Sequence, residues 1–139
     1  MGSFSDYAEK KILDHLIGNQ TLTPPATLYV ALFTVTPDDT GSGTEVDPTA
    51  SAYARAAVTN DNTNWPDATD TVTTKSNGTA ITFPKATADW GTIVAFAIFD
   101  SAIGGSDNML LWGAVTPNQS IPNGVTASFD IDTLVITLD

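Results

Sequence analysis

Three segments are apolar on both faces when read as β-strands. A half-buried strand alternates apolar and polar side chains with a period of two. In TLYVALFT (27–34), Leu28, Val30 and Leu32 oppose Tyr29, Ala31 and Phe33. In IVAFAIF (93–99), Ile93, Ala95, Ala97 and Phe99 oppose Val94, Phe96 and Ile98. In MLLWGAV (109–115), Met109, Leu111, Gly113 and Val115 oppose Leu110, Trp112 and Ala114. Each predicts a strand that needs a second cover, whereas a simple sandwich covers one face of each sheet.

Further strands are expected at 51–59, at 79–84 where Pro84 ends the run, at 126–131 and at 133–138. Turn-forming stretches separate them: PDDTGSGTEVD (37–47), NDNTNWPDATDT (60–71), DSAIGGSDN (100–108) and PNQSIPNG (117–124). Seven or eight short strands without βαβ alternation predict an all-β fold, an antiparallel β-sandwich of jelly-roll or Ig-like type. A single domain over 1–139 is expected, with the sandwich at 26–139 and one N-terminal α-helix at 5–18 packed on it.

In that helix Ala8, Ile12, Leu13, Leu16 and Ile17 make one apolar stripe. Ser5 or Asp6 caps it, Asp6 and Glu9 approximate a capping box, Asp6 and Lys10 are i,i+4 partners, and Gly18-Asn19 ends it. A helix this short is marginal alone in water, so its stripe must dock. The second face of the apolar strands is expected under the helix, a neighbouring copy, or both. An interface between copies is expected to draw on Ile12, Leu16, Tyr29, Phe33, Arg55, Phe96, Ile98 and Trp112.

Charge narrows the partners. Sixteen acidic residues against five basic ones give a net charge of −11. Lys10, Lys11, Arg55, Lys75 and Lys85 are too few and too dispersed to make a basic patch, so no nucleic-acid partner is expected. No apolar run approaches the roughly 20 residues that cross a bilayer, and no membrane partner is expected. MGSFSDYAEKK lacks the order of a secretory signal, and Asp6 stands where a myristoylation motif wants Ser or Thr. Sequons occur at Asn19, Asn77 and Asn118. With no cysteine, disulfides and thiolate metal sites are excluded.

Candidate chemistry is sparse. His15 is the one histidine, on the helix with no nucleophile elbow nearby. Asp38-Asp39 and Asp130 with Asp132 are carboxylate pairs; the latter two read as a charged guard on an exposed strand edge. Turn chemistry explains PDDTGSGTE, although a weak structural Ca²⁺ there or at Asp100–Asp107 fits the ligand types. No other cofactor is expected. Trp65, in a polar loop, is the one clear exposed aromatic for a glycan site, while Trp90 and Trp112 border apolar strands. Arg55 is either an anchor paired with a buried or interfacial acid or an outward-facing strand residue. The expectation is a non-enzymatic protein.

A resemblance adds to this. The segments ALFTVTPDDTGSGTEV (31–46), Tyr53-Ala54-Arg55 and FPKATADWGT (83–92), in this order behind a terminal helix, resemble a family of small virion structural proteins of tailed bacteriophages and prophages. The family is often labelled tail fibre. The resemblance implies a virion component made in the host cytoplasm, assembled as symmetric copies of itself, a trimer among the forms considered. Its partners would be the major capsid protein or tail proteins. Capsid decoration, as a cement protein, is the first expectation; a tail-fibre or other tail-associated protein is the alternative, and a carbohydrate-binding module the third. The resemblance transfers no functional residue.

Overall fold

The computed structural model describes residues 3–68, 73–103 and 107–137. In chain order these form β1 (Ser3–Phe4), α1 (Asp6–Gly18), β2 (Thr27–Val35), β3 (Thr44–Glu45), β4 (Ala56–Thr59) and β5 (Thr74–Ser76). There follow β6 (Ile81–Lys85), β7 (Gly91–Phe99), β8 (Met109–Ile121), β9 (Thr126–Phe129) and β10 (Val135–Thr137). One layer is a six-stranded antiparallel sheet in the order β1-β8-β7-β2-β3, with β4 also paired to β2. The ribbons β6–β9 and β5–β10 lie across it. The all-β sandwich read from the sequence is the architecture of the chain.

The inner face of the large sheet supplies Val30, Leu32, Ile93, Phe96 and Ile98, and the ribbons answer with Ile81, Phe83, Phe129 and Ile136. Phe96 meets Phe129 edge-on across the layers, with centroids 5.8 Å apart. Gly113, opposite Phe96 on β8, makes room for that ring: a Cβ there would sit 2.8 Å from two ring carbons.

The expected alternation holds in β2 but slips elsewhere. Ile93 packs inward with Phe96, whereas Val94 and Ala95 both turn outward. The register of β7 against β8 shifts between Ile93 and Ala95, where β8 bulges out from Ala114 to Gln119. A second shift, between Ile98 and Phe99, sends Met109 outward while Leu110 and Leu111 both pack inward. One extra residue in a strand reverses the faces beyond it. β8 also runs through Pro117 to Ile121, past the turn expected at 117–124, and the chain reverses only at Pro122–Gly124.

Two further corrections concern polar residues. Asp130 and Asp132 sit in the turn between β9 and β10, not on a strand edge, and Asp132 adopts a left-handed φ of 63°. Asn77, a sequon residue, is fully buried. Its Nδ2 donates to the carbonyls of Thr79 (2.9 Å) and Asp130 (2.8 Å), and its Oδ1 accepts the Leu134 amide at 2.9 Å. It fastens that turn and offers no atom to a glycan.

α1 begins as expected, with Ser5 as N-cap accepting the Ala8 amide at 3.2 Å. Asn19 closes it in a left-handed conformation. Lys10 pairs with Asp14 at 2.6 Å rather than with Asp6. Ser5 ties this end to β8: its amide donates to the Leu110 carbonyl at 3.0 Å, and its hydroxyl to the Met109 carbonyl. The rest of the helix does not dock. Ala8 is its one buried residue, while Leu13, Leu16 and Ile17 are 58%, 73% and 83% exposed.

Asn77→Asp keeps the acceptor and removes both donors: the Thr79 carbonyl loses its bond to Asn77, the Asp130 carbonyl keeps only those to Thr133, and a carboxylate takes the place of a fully buried amide. A loss of roughly 2–4 kcal/mol is expected in urea unfolding; a change below about 0.5 kcal/mol would contradict the role assigned to Asn77.

Candidate functional site

The outer face of the large sheet shows what covers the second face of the apolar strands. Ala31, Ala95 and Ala97 form a floor of small side chains and have no exposed surface. Phe33 lies opposite Ala95 and Phe99 opposite Tyr29. These rows are four residues apart, roughly 13 Å along a strand. The two rings nevertheless stack nearly parallel with centroids 6.4 Å apart. They lean towards each other over Ala31 and Ala97 and roof the floor.

Arg55 closes the roof. Its guanidinium carbon lies 3.6 Å from the Phe99 ring centroid, and its side chain is 4% exposed. Glu45 grips it bidentately, accepting from Nε at 2.9 Å and Nη2 at 2.8 Å. Nη1 reaches Asp107 at 2.7 Å and donates to the Ser101 carbonyl at 3.0 Å. Burial alone would lower the Arg55 pKa, but the Glu45 and Asp107 hydrogen bonds and charges outweigh it and raise it. Of the two roles open in the sequence, the anchor is the one the structure shows.

The clasp reaches into the sheet through Tyr53. β4 pairs with residues 27–30 of β2 and β3 with Phe33 and Val35, so Leu32 falls in the gap between them. Its amide donates to the Tyr53 hydroxyl at 2.9 Å, which donates in turn to Glu45 Oε1 at 2.9 Å. Burial, with the Glu45 charge second, raises the Tyr53 pKa far above the usual phenol value, so it remains a donor. The ring packs edge-on against Trp90 at 5.2 Å.

The 36–43 loop and the chain start complete the rim. Asp39 accepts the Trp112 indole N–H at 3.0 Å through its carboxylate and the Asp6 amide at 2.9 Å through its carbonyl. Beside it Asp38 accepts the hydroxyls of Thr40 and Ser42, each at 2.6 Å, and both their amides. These bonds, the Ser42 hydroxyl's first, lower its pKa from 3.8 to about 2. The acids of the PDDTGSGTE loop, read from the sequence first as turn residues, are thus engaged by the chain itself. At the second calcium candidate, Asp100 is bound by Asn108 and Asp107 by Arg55, and residues 104–106 lie outside those described. Among the described residues no three acidic or histidine side chains converge.

The remaining candidates scatter. Phe33 is in the roof; Tyr29 and Trp112 flank it, half-buried. Phe96 and Ile98 belong to the inner core. Ile12 is half-buried and Leu16 exposed, both on α1. His15 is exposed, its Nδ1 2.8 Å from the Gln20 carbonyl. Trp65 is 3% exposed and sits in the inner core, which removes the exposed aromatic on which a glycan site rested. Sequence reasoning missed Glu45 and Tyr53, though Tyr53 and Arg55 share a face of an extended segment and so carried a faint signal.

Two comparisons bear on kinship. A family model described as Podophage GP4 fiber I protein gp80 matches residues 3–137. The chain belongs to this gp80 family. It is a family of phage virion structural proteins, which agrees with the resemblance read from the sequence. No curated protein matches the chain. The clasp residues Glu45, Tyr53, Arg55 and Asp107 all fall within the stretch matched to gp80.

Two outcomes are expected. Arg55→Met leaves Glu45 and Asp107 without their cation and should cost about 3–5 kcal/mol in chemical denaturation. Arg55→Lys, which lacks the planar fork, should recover only part of this; full recovery would contradict the bidentate clasp. For Asp38, whose folded pKa is depressed, the contribution to stability is present above its unfolded pKa and is lost as pH falls through about 2. The Thr40 and Ser42 amide shifts should therefore hold down to about pH 4 and titrate near 2. A midpoint near 4 would contradict this.

Proposed function

We propose that the chain is a non-enzymatic structural component of the fibre apparatus of a tailed phage, built into the virion as symmetric copies. The match to the fiber I family over residues 3–137 carries this proposal. It favours the fibre station, held second in the sequence reading, over capsid decoration. The geometry supports a structural role. The most elaborate polar cluster, at Arg55, spends its carboxylates on one buried cation and holds the outer face shut. A general acid or base must instead present a group to a substrate. An assembly protein needs many complementary surface contacts repeated by symmetry, and α1 keeps an apolar stripe exposed for such contacts.

Labelling purified virions with gold-conjugated antibody against the chain tests the station. Label on the fibres is expected. Label over the capsid surface would overturn the fibre assignment and restore the decoration reading, and virions that bind no antibody and lack the chain's peptides by mass spectrometry would overturn both.

A further inference from the structure

Two asparagines of the chain precede a glycine, Asn77 and Asn123. Such a pair is open to spontaneous deamidation, because glycine has no side chain to shield its amide nitrogen from the neighbouring carboxamide. The nitrogen loses its proton and attacks the side-chain carbonyl carbon. An N–C bond forms, the carboxamide C–N bond breaks and ammonia leaves, so that the two residues share a succinimide ring. Water, the one co-reactant, then opens the ring to aspartate or to isoaspartate. The reaction needs a carboxamide free to swing, a glycine amide that can give up its hydrogen bond, and access for water.

The fold opposes each of these at Asn77. Its carboxamide is fully buried and fixed by three hydrogen bonds. The Gly78 amide donates to the Asn64 carbonyl at 2.7 Å. A Cβ on Gly78 would stand 2.3 Å from the Thr63 carbonyl oxygen and 2.8 Å from the Pro66 ring, so that side is walled off.

Asn123 is placed otherwise. It sits at the reversal between β8 and β9, where it and Gly124 are exposed, and nothing lies within 4 Å of where a Gly124 Cβ would be. Its carboxamide holds no hydrogen bond among the described residues. Backbone bonds restrain the turn: the Gly124 amide donates to the Ala86 carbonyl at 2.8 Å, the Ala86 amide to the Val125 carbonyl at 2.9 Å, and the Val125 amide to the Pro122 carbonyl at 3.2 Å. One side chain adds to these. The Asp89 carboxylate accepts the Asn123 amide at 2.7 Å.

We infer that Asn123 is the chain's site of spontaneous deamidation, and that the grip of Asp89 on this turn sets its pace. Gly124 gives up its proton only when the turn lets go of Ala86, an opening confined to a surface reversal. Asn77 reacts only when the β9–β10 turn and the core beneath it come apart. Openings of the first kind are far more frequent than those of the second. Conversion places a new carboxylate beside Asp89, and the isoaspartate form also lengthens the main chain inside the turn.

The inference goes beyond the virion proposal and does not rest on it, since it concerns the chain by itself. The full chain is aged in mildly alkaline buffer, folded and in parallel in urea, then digested. Mass spectrometry reads the amide-to-acid change and the isoaspartate at each Asn-Gly pair. The rate at Asn123 relative to that at Asn77 should be at least about tenfold larger in the folded chain than in urea. An equal ratio, or a folded chain that converts neither residue, would overturn the inference. Asp89 is exposed, so its substitution leaves the core untouched. Asp89→Ala should speed conversion at Asn123 at least about threefold and leave Asn77 unchanged. Asp89→Asn keeps an acceptor without the charge and should restore most of the protection. An unchanged rate in Asp89→Ala, or an equal acceleration in Asp89→Asn, would overturn the part given to Asp89.

Discussion

The Arg55 guanidinium, pressed on the Phe99 ring and held between Glu45 and Asp107, is the interaction on which the outer half of the structure depends. An ion nearly removed from water is costly unless its hydrogen bonds and charge are met. Here the bidentate carboxylate, the second acid, the Ser101 carbonyl and the ring meet them together. The same contacts set the positions of three pieces of chain that do not otherwise pair: the β3 strand, the approach to β4 and the end of the β7–β8 connection. Through Tyr53 they also satisfy the amide of Leu32, which lies in the gap between the pairings of β2 with β4 and with β3. A hydrophobic cover could exclude water from Phe99, but it would not specify these positions.

That closure changes what the doubly apolar strands mean. Two apolar faces in so short a chain call for a second layer or a partner on the outer side. Neither is needed, because the outer face is small-residue floor under large-residue roof. Alanines at 31, 95 and 97 let Phe33 and Phe99 lie flat across them, and the roof needs only a rim of loops. With both sheet faces satisfied, the exposed Leu13, Leu16 and Ile17 of α1 stand outside the sandwich.

Much of the fold was legible in the sequence, and the failures have physical causes. The β2 alternation, the Ser5 cap and the hairpin joining β7 to β8 depend on neighbours in sequence, and periodicity or turn chemistry exposes them. The bulges do not, because the extra β8 residues between Ala114 and Gln119 opposite Val94, and the one at Leu110, leave no compositional trace yet shift the faces beyond them. Trp65 was misread for a related reason. Its flanks are polar, but Asp61 takes up the amides of Thr63 and Asn64, curling the loop so that the indole turns into the core. At the clasp, Arg55 announced itself as an isolated cation in an apolar context. Its acids could not be singled out among sixteen, since only the register of β2 with β3 and the β7–β8 connection brings Glu45 and Asp107 to it.

The central claim is that each chain closes its own outer face through Arg55, whether or not it has met a second copy. The most direct measurement is the NMR signal of the Arg55 Nε–H at decreasing protein concentration. The account predicts a resolved, slowly exchanging resonance with cross-peaks to the Phe99 ring protons that persist when the chain is monomeric. A resonance that broadens away or loses those cross-peaks on dilution would mean that a neighbouring copy holds the face shut, and would contradict the account.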